Sequence, residues 1–399
     1  MNLIPGLAAI ELSMAPRRIG ILTGGGDVSG LNAVIKSVVY RSEEQGIHVT
    51  GIRRGWEGLT HCNLEDPASC DRYILPLDRD NTRTIERDGG TILHTSRTHP
   101  AAVNNIPDFL SADSFPKSDG RWDMSSQVLK NLERLGIDCL ITIGGDGTLR
   151  YSATLSDLGV NVIAVPKTMD NDVQGTEYCI GFSTAITRAS DSIERQRTTI
   201  GSHERIGVFR IFGRDSGFTA LYTAYVTSLR CVIPEYKVKL EKLIDLLVKD
   251  KRTNSSLYSL VILSEGAAWE GYQVQYYGTP DSMGRRRKAS VAEVFSNELA
   301  RQTGEDSIVS DLTYDLRSGS PDFLDKLIGF RFGTMAFETA VAGKGGLMTA
   351  IVDGCYTMVE IPDPGHAARS VDIETMYNKE RYRPNYNGKL GLPVFLSRP

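Results

Sequence analysis

Short apolar runs alternate along the chain with longer stretches in which apolar residues recur every three or four positions. The apolar runs predict β-strands, and they cover residues 17–23, 138–143, 161–165, 206–212 and 257–263. The periodic stretches predict amphipathic helices, and they cover residues 30–45, 182–198, 217–229, 238–250, 291–302 and 321–341. Strands that alternate with helices are typical of α/β proteins with parallel sheets. Because ligands bind at the carboxyl ends of the strands in such sheets, we expect the functional residues directly after the predicted strands.

Two segments, residues 101–125 and 270–290, lack this periodicity, and we expect surface loops there. The second loop contains the basic sequence Gly-Arg-Arg-Arg-Lys at 284–288. A solvated charge cluster is the simpler interpretation of that sequence, and a phosphate or effector contact is the alternative.

Composition narrows the class of protein. A length of 399 residues suggests two domains or three, and a net charge of −4 argues against a general nucleic-acid binder. No apolar run approaches the roughly 18 residues of a membrane span. The six cysteines form no C-x-x-C pair, so there is no zinc signature, and we expect a reduced, cytoplasmic chain. Residues 1–14 resemble no secretory signal, and we expect them to form a flexible extension.

Two glycine-rich motifs follow predicted strands. Thr23–Asp27 (TGGGD) lies between a strand and a helix, where backbone N–H groups and the helix N-terminus favour an anion. Gly144–Thr148 (GGDGT) adds a carboxylate that can bind Mg²⁺, Asp146, and a hydroxyl that can reach a phosphate, Thr148. Phosphate binding is our interpretation of both motifs, although either could form only a tight turn.

A third motif, Pro166–Asp172 (PKTMDND), contains two carboxylates two residues apart. On extended backbone Asp170 and Asp172 would point the same way. One could accept a proton from an attacking hydroxyl while the other serves a metal ion, which suits phosphoryl transfer. The alternative is an Asx-rich loop that caps a helix.

Charged residues also stand at loop and strand ends. Arg97, Arg205 and Arg214 are placed to bind phosphate, because the guanidinium fork matches phosphate oxygens. Glu265 follows the strand at 257–263 and could accept hydrogen bonds from sugar hydroxyls or cap a helix.

The order of these motifs resembles the phosphofructokinase family. The matching blocks are TGGGD at 23–27, GGTILHTSR at 89–97, GGDGT at 144–148, PKTMDND at 166–172, SHERIGV at 202–208, FGR at 212–214 and SEGA at 264–267. The resemblance implies two Rossmann-like three-layer domains with mainly parallel sheets. It implies transfer of the γ-phosphoryl group of ATP, with Mg²⁺, to the 1-hydroxyl of fructose 6-phosphate, by a homodimer or homotetramer.

The resemblance also implies domain boundaries. A larger domain that binds the phosphoryl donor would comprise residues 15–181, completed by 316–366. A smaller domain that binds the sugar phosphate would comprise residues 182–315, completed by 367–399.

The family's site roles carry over to matching positions of this sequence. Asp170 resembles the base for the sugar's 1-hydroxyl, and Asp146 resembles the metal ligand, assisted by Asp172. Arg205 resembles an arginine that reaches the sugar's 6-phosphate from a neighbouring subunit. The implied catalytic group is Asp170, Thr168, Arg214, Arg97 and Lys167. The implied donor site is Gly25, Gly26, Arg97, Gly145, Gly147 and Thr148. The implied sugar-phosphate site is Thr168, Asp170, Asp172, Arg205, Phe212, Gly213, Arg214, Glu265, Tyr314 and Arg317.

Two positions bear on the donor. Pyrophosphate-using members of the family commonly have aspartate where this chain has Gly147, and a carboxylate there would repel the α-phosphate of ATP. Lys167 resembles the lysine of the pyrophosphate enzymes. One ATP-using branch combines both features, so we expect ATP and keep pyrophosphate as the alternative.

The chain departs from the family's usual pattern at two sugar-site positions. Phe212 replaces a methionine and Ile308 replaces an arginine, so one intersubunit phosphate contact would be missing. Two other classes are less consistent with the motifs. NAD or lipid kinases share GGDG but lack the PKTMDND and SHERIGV blocks, and a non-catalytic paralogue would not need the charged residues that this chain retains.

Overall fold

A computed structural model describes residues 16–272, 276–279, 286–288, 290–363, 365 and 367–386. The strands are β1 Arg18–Gly24, β2 His48–Ile52, β3 Ile74–Leu77, β4 Lys117–Ser118, β5 Arg121–Trp122, β6 Cys139–Gly144, β7 Val162–Pro166, β8 Ile206–Ile211, β9 Arg230–Val232, β10 Ser259–Ser264, β11 Tyr276–Tyr277, β12 Arg287–Lys288, β13 Ser307–Leu312, β14 Leu347–Val352, β15 Cys355–Glu360, β16 Tyr377–Asn378 and β17 Arg383–Pro384. The helices are α1 Leu31–Glu44, α2 Trp56–His61, α3 Pro67–Tyr73, α4 Arg79–Thr82, α5 Ser125–Arg134, α6 Asp146–Asp157, α7 Phe182–Ser202, α8 Phe218–Thr227, α9 Leu240–Thr253, α10 Val291–Thr303, α11 Phe323–Val341 and α12 Ile373–Met376.

The main strands form two sheets. The larger has the order β15-β14-β7-β6-β1-β2-β3 and is parallel except at its two edge strands. The smaller has the order β13-β8-β10-β9 and is wholly parallel. The chain passes from the first sheet to the second between β7 and β8 and returns between β13 and β14. The predicted α/β class with mainly parallel sheets is confirmed, whereas the exact domain boundaries near residues 181 and 315 stay a prediction.

Central strands are buried along their whole length, as parallel strands covered by helices must be. β6 and β10 bury every residue. One apolar core extends from α1 and α11 beneath the larger sheet to the smaller sheet, and a second core covers the opposite face of the larger sheet. α1 and α11 approach closely because α11 presents Gly329 and Gly333, where an added Cβ would lie 3.0 Å from Ala33 and 2.7 Å from Ser37.

Residues 101–125, predicted as a surface loop, are mostly exposed and contain only short elements. That segment contains the β4–β5 hairpin and two short 3₁₀ turns. Val103, Phe115 and Met124 form a small apolar core of their own beneath it. The apolar residues of this segment are spaced too irregularly to match the period of a helix or a strand. The sequence pattern could therefore not reveal these short elements or their small core.

Three other predictions fall partly or wholly on residues that the structure does not describe. Residues 1–14, residues 387–399 and two positions of the basic sequence, Gly284 and Arg285, lie outside the described residues. Among the helices that are described, none combines the length and the apolar character that crossing a bilayer requires.

Candidate active site

Three of the predicted motifs lie side by side at the carboxyl edge of the larger sheet. β1, β6 and β7 are neighbours, and Gly24 is in register with Gly144, which is in register with Pro166. The TGGGD, GGDGT and PKTMDND segments therefore leave the sheet at one edge, where α/β proteins bind their ligands.

The TGGGD loop is held to the segment that precedes Arg97. The Gly25 N–H donates to the Ser96 carbonyl at 3.0 Å, and Thr95 Oγ1 donates to the Gly25 carbonyl at 2.7 Å. Gly25 has a φ of +81°, a conformation that favours glycine. These contacts place the exposed Arg97 beside the glycine loop, as the motif order predicts.

The GGDGT segment forms the first turn of α6. Gly145 is the residue that precedes the helix, and Thr148 is buried so closely against β1 that a Cβ at Gly24 would lie 2.4 Å from its Oγ1. In contrast, a Cβ added at Gly147 meets no heavy atom within 4 Å. The first N–H groups of a helix have no partner within the helix, so a helix N-terminus at this position suits a phosphate.

Backbone geometry between the two carboxylates differs from the prediction. Asn171 has a left-handed φ of +53°, so the segment from Asp170 to Asp172 is a turn rather than an extended strand. Asn171 fits this conformation because its side chain closes the turn. Its Nδ2 donates to the Glu177 carbonyl at 2.9 Å, and its Oδ1 accepts from the Cys179 N–H at 2.8 Å.

Asp170 has the properties of a base. Its Oδ1 is enclosed by protein and has no hydrogen-bond partner. Burial, together with the charges of Asp172, Glu265 and Asp215, raises the pKa of Asp170 from 3.8 to about 8 against an opposing effect of Arg214. A carboxyl group with a raised pKa in a cleft is typical of proton-transfer catalysis.

The surroundings also shift the pKa values of two more groups in this loop. Burial, together with the charge of Asp146, raises the pKa of Asp172, while a hydrogen bond from Thr168 opposes this. Burial and the neighbouring Arg317 lower the pKa of Lys167 to about 8. Lys167 Nζ donates to the Gly26 carbonyl, so this cation lies directly under the glycine loop.

The smaller sheet brings its own carboxyl edge to Asp170. Phe212, Gly213 and Arg214 follow β8, and Glu265 follows the adjacent strand β10. Gly213 has a φ of +124°, and a Cβ there would lie 2.6 Å from the Ser216 carbonyl oxygen, so only glycine fits. Arg214 Nη2 lies 3.9 Å from Glu265 Oε1. Since both side chains affect the pKa of Asp170, the two sheet edges face one another across the cleft.

Tyr314 and Arg317 connect the two sides of this cleft. The Tyr314 ring meets Phe212 edge-on with centroids 6.0 Å apart, and the Arg317 guanidinium lies 4.7 Å from the Tyr314 ring centroid. Arg317 Nε also lies 3.6 Å from Asp27 Oδ1. The sequence predicted Arg317 on the sugar side, and the structure places it against the glycine loop as well.

One predicted site residue lies away from this cleft within the same chain. Arg205 precedes β8, at the opposite edge of the smaller sheet, and its Nη2 is 3.6 Å from Asp306 Oδ2. Ile308 pairs with Gly207 near that edge and packs against the core. Arg205 therefore does not reach the cleft of its own chain, and its predicted contact with a phosphate across a subunit interface stays a prediction.

A cavity of about 480 Å³ opens beside Arg97, and sequence motifs gave no sign of it. Its lining residues are Glu57, His61, Ser96, Arg97, Thr98, His99, Ala102, Val103, Asn104, Asn105 and Arg121. The His99 ring stacks edge-on against Tyr151 of α6 at 5.6 Å. The cavity thus adjoins both the segment that holds the glycine loop and the α6 helix, and its lining comes from α2 and from the chain between residues 96 and 121.

The donor set fits Mg²⁺, which is usually held by one or two carboxylates together with substrate phosphates and water. Asp146 is exposed at the start of α6, and Asp172 is close enough for the two charges to interact. Asp146 also accepts a hydrogen bond from Arg150 Nε at 2.8 Å. Over the described part of the chain, no group of three His, Cys, Asp or Glu side chains forms a complete protein cage for a metal.

Comparisons with known proteins identify the family of this chain. The family model described as Phosphofructokinase matches residues 18–340. ATP-dependent 6-phosphofructokinase 3 of Streptomyces coelicolor is 34% identical over 357 residues, which cover 89% of this chain and 96% of the relative. Pyrophosphate–fructose 6-phosphate 1-phosphotransferase of Amycolatopsis mediterranei is 32% identical over 366 residues, which cover 91% and 98%.

A solved structure described as a pyrophosphate-dependent phosphofructokinase, from Marinobacter aquaeolei, superposes with a TM-score of 0.72. It is 18% identical to this chain, and the match covers 93% of this chain and 89% of that structure. That likeness establishes the shared fold, and the family model together with the sequence relatives establishes the lineage. The chain belongs to the phosphofructokinase family.

Proposed function

We propose that the protein is a 6-phosphofructokinase that uses ATP to phosphorylate the 1-hydroxyl of fructose 6-phosphate. The family alone leaves the donor open, because relatives of similar identity are named for ATP and for pyrophosphate. The observation that carries the choice of ATP is the open space at Gly147 and beside Arg97. An added Cβ at Gly147, in the first turn of α6, meets nothing within 4 Å, and a cavity of about 480 Å³ lies beside Arg97. ATP has a nucleoside to place in that cavity, whereas pyrophosphate has none.

In this proposal Asp170 accepts the proton of the sugar's 1-hydroxyl through its unpartnered Oδ1. Arg214 and Arg97 stabilise the charge on the transferred phosphoryl group. Lys167, buried beneath the glycine loop, adds a fixed positive charge on the donor side. Glu265 accepts hydrogen bonds from the sugar. Mg²⁺, when bound at Asp146 and Asp172, neutralises the charge of the donor phosphates.

Pyrophosphate remains the second candidate, because Lys167 matches the lysine of the pyrophosphate-using members. A turnover assay with fructose 6-phosphate and Mg²⁺ decides between the two donors. We expect kcat/KM to be higher with ATP. A preference for pyrophosphate would reject the ATP assignment, and turnover with neither donor would favour a non-catalytic paralogue.

The rate should depend on pH through the two perturbed groups. The base must be ionised, so kcat/KM should rise about tenfold per pH unit below the Asp170 pKa of about 8. Lys167 loses its charge above its own pKa of about 8, so the rate should fall again at higher pH. We therefore expect a bell-shaped profile with its maximum near pH 8. A profile that is flat from pH 6 to 9 would contradict both assignments.

Arg205 offers a test of assembly. If it binds the sugar's phosphate in a neighbouring subunit, Arg205→Ala should raise the KM for fructose 6-phosphate by about 10-fold or more and change that for ATP little, because charge-assisted bonds to phosphate are strong. The loss of its surface ion pair with Asp306 should cost little stability. Sedimentation under assay conditions supplies the check, and a fully active monomer would exclude this role.

A further inference from the structure

A carboxylate that no part of the proposed chemistry uses is buried behind the active site. Asp325, in the first turn of α11, has 0% of its surface exposed. Its Oδ1 accepts from Tyr178 Oη at 2.7 Å and from the Gly181 N–H at 2.7 Å. Its Oδ2 accepts from the Thr184 N–H at 2.8 Å and from Thr184 Oγ1 at 2.5 Å. Four donors therefore converge on one side chain that carries no proton to offer them.

The carboxylate lies where three helices begin. Gly181 precedes α7 and Thr184 is in its first turn, so Asp325 caps α7 from a distant part of the sequence. Asp325 is itself in the first turn of α11, so two helix dipoles favour its negative charge. Gly30 precedes α1, and a Cβ there would lie 3.5 Å from the Asp325 Cβ.

Two of the Asp325 contacts lead to the PKTMDND segment at residues 166–172, called the catalytic loop below. The segment Glu177–Gly181 runs beside residues 167–171, with the Ile180 N–H donating to the Pro166 carbonyl at 3.1 Å. The same segment supplies both partners of the Asn171 side chain. Because Asp325 binds this segment at Tyr178 and Gly181, it holds the support on which the turn between Asp170 and Asp172 rests.

The chain that leads into α11 connects it to the sugar side and to the TGGGD loop at residues 23–27, called the donor loop below. The chain enters α11 directly after the Tyr314–Arg317 turn. Ser29 Oγ, beside the donor loop, donates to the Gly319 carbonyl at 2.7 Å. The chain that leads into α11 is therefore bonded next to the donor loop, and Asp325 bonds the first turn of α11 to the segment that supports the catalytic loop.

We propose that Asp325 is a positioning residue for phosphoryl transfer, which fixes the catalytic loop relative to the donor loop and Arg317 through the N-termini of α7 and α11. The proposal rests on the phosphotransferase function proposed above. Asp325 acts through Tyr178 and Gly181 and touches no substrate, since it is enclosed by protein.

The energetics of this group favour a role in positioning over one in stability. Burial and the neighbouring Asp322 raise the pKa of Asp325 from 3.8 to about 6, although hydrogen bonds from Thr184 and Gly181 oppose this. A raised carboxyl pKa means that the folded state binds more protons than the unfolded state between pH 4 and 6, so stability falls as pH rises through that range. At neutral pH the chain thus keeps an ionised carboxylate here at a cost to its stability. The ionised carboxylate accepts four directed hydrogen bonds, which fix the positions of their donors.

Asp325→Asn is the direct test. It preserves size, but its NH₂ group would face donors in place of one acceptor oxygen, so two of the four bonds should be lost. A displacement of about 1 Å in a catalytic group can cost about 10²-fold, so we expect kcat to fall about 10- to 100-fold. Neither substrate contacts Asp325, so we expect the KM values for fructose 6-phosphate and for the donor to change less than about threefold.

Asp322→Asn is the matched control, because Asp322 caps the same turn of α11 and accepts from Ser183 and Thr187 without contacting Tyr178 or Gly181. It should keep kcat near the wild-type value. Tyr178→Phe removes a single donor, leaves the carboxylate in place and should lower kcat in the same direction by a smaller factor. Each variant should be assayed well below its own melting temperature, which circular dichroism measures.

The outcomes separate the two proposals. An active wild-type enzyme with unchanged kcat in Asp325→Asn would overturn the positioning role and leave the proposed function intact. If Asp325→Asn does not fold, Tyr178→Phe decides in its place, and wild-type kcat in that variant overturns the role. A KM increase without a kcat decrease would also overturn it. A wild-type protein that phosphorylates fructose 6-phosphate with neither donor would overturn both proposals.

Discussion

Asp170→Asn should lower kcat by about 10²–10⁴-fold, the usual effect of removing a positioned base. The amide is nearly the same size as the carboxyl group, so substrates should still bind and the KM values should change little. The structure gives Asp170 the one property that its neighbours in the loop lack, namely an enclosed oxygen without a hydrogen-bond partner. That oxygen is available to accept the proton of a sugar hydroxyl.

The same substitution should make the protein more stable above neutral pH. Because the folded-state pKa of Asp170 is raised from 3.8 to about 8, the folded protein binds more protons than the unfolded chain between those values. Its free energy of unfolding therefore decreases as pH rises through this window. Asn cannot ionise, so the melting temperature of Asp170→Asn should exceed that of the wild type at pH 8 and approach it near pH 4.

Asp215→Asn is the matched control for this variant. Asp215 is exposed, and its charge contributes to the raised pKa of Asp170. Removing that charge should shift the acid limb of the pH–rate profile to lower pH without abolishing turnover. Near-full kcat in Asp170→Asn, or an equal loss of kcat in both variants, would reject Asp170 as the base.

The sequence was most informative where functional residues come directly after a buried strand. β1, β6 and β7 are short apolar runs that end in glycine or proline, so their ends, and the motifs attached to them, could be located before the structure was known. The phosphate-binding geometry then follows, because neighbouring parallel strands end at one edge of a sheet. The outer strands of the larger sheet, β2 and β3 on one side and β14 and β15 on the other, were not predicted, since their shorter or mixed patterns carry a weaker periodic signal.

Contacts between distant segments could not be predicted in this way. Extended backbone was a reasonable expectation for Asp170–Asp172, and it was wrong because Asn171 finds its partners at Glu177 and Cys179, beyond the motif. Asp325 lies 141 residues from Thr184, and its role depends on two helix N-termini that meet only in the folded chain. Arg317 was assigned to the sugar alone, because nothing local shows that its chain segment crosses to Asp27.

Gly147→Asp should change the choice of donor more than any other single substitution. The new carboxylate would enter open space, because nothing lies within 4 Å of a Cβ at this position. It would also stand in the first turn of α6, where a negative charge is favoured by about 0.3–1 kcal/mol and where replacing glycine improves helix propensity. The variant should therefore fold at least as well as the wild type, and altered turnover can be assigned to the site.

The effect on ATP follows from charge. A carboxylate about 4 Å from the α-phosphate would cost about 4 kcal/mol at an effective dielectric constant near 20. That corresponds to a loss in kcat/KM on the order of several hundred-fold. Pyrophosphate has no α-phosphate to be repelled, and Lys167 remains beneath the glycine loop to pair with its charge. We therefore expect kcat/KM with pyrophosphate to fall less than kcat/KM with ATP, or even to rise.

Gly147→Ala separates charge from size, since its methyl group occupies the same open space without a charge and should leave ATP use within a few-fold of wild type. The informative quantity is the ratio of kcat/KM with ATP to that with pyrophosphate in the wild type and both variants. We expect it to fall steeply in Gly147→Asp and to hold in Gly147→Ala. A ratio that is unmoved by the aspartate, or one that falls equally in both variants, would show that this position does not select the donor. We would then look for the choice of donor in the cavity beside Arg97, which offers space for a nucleoside that pyrophosphate lacks.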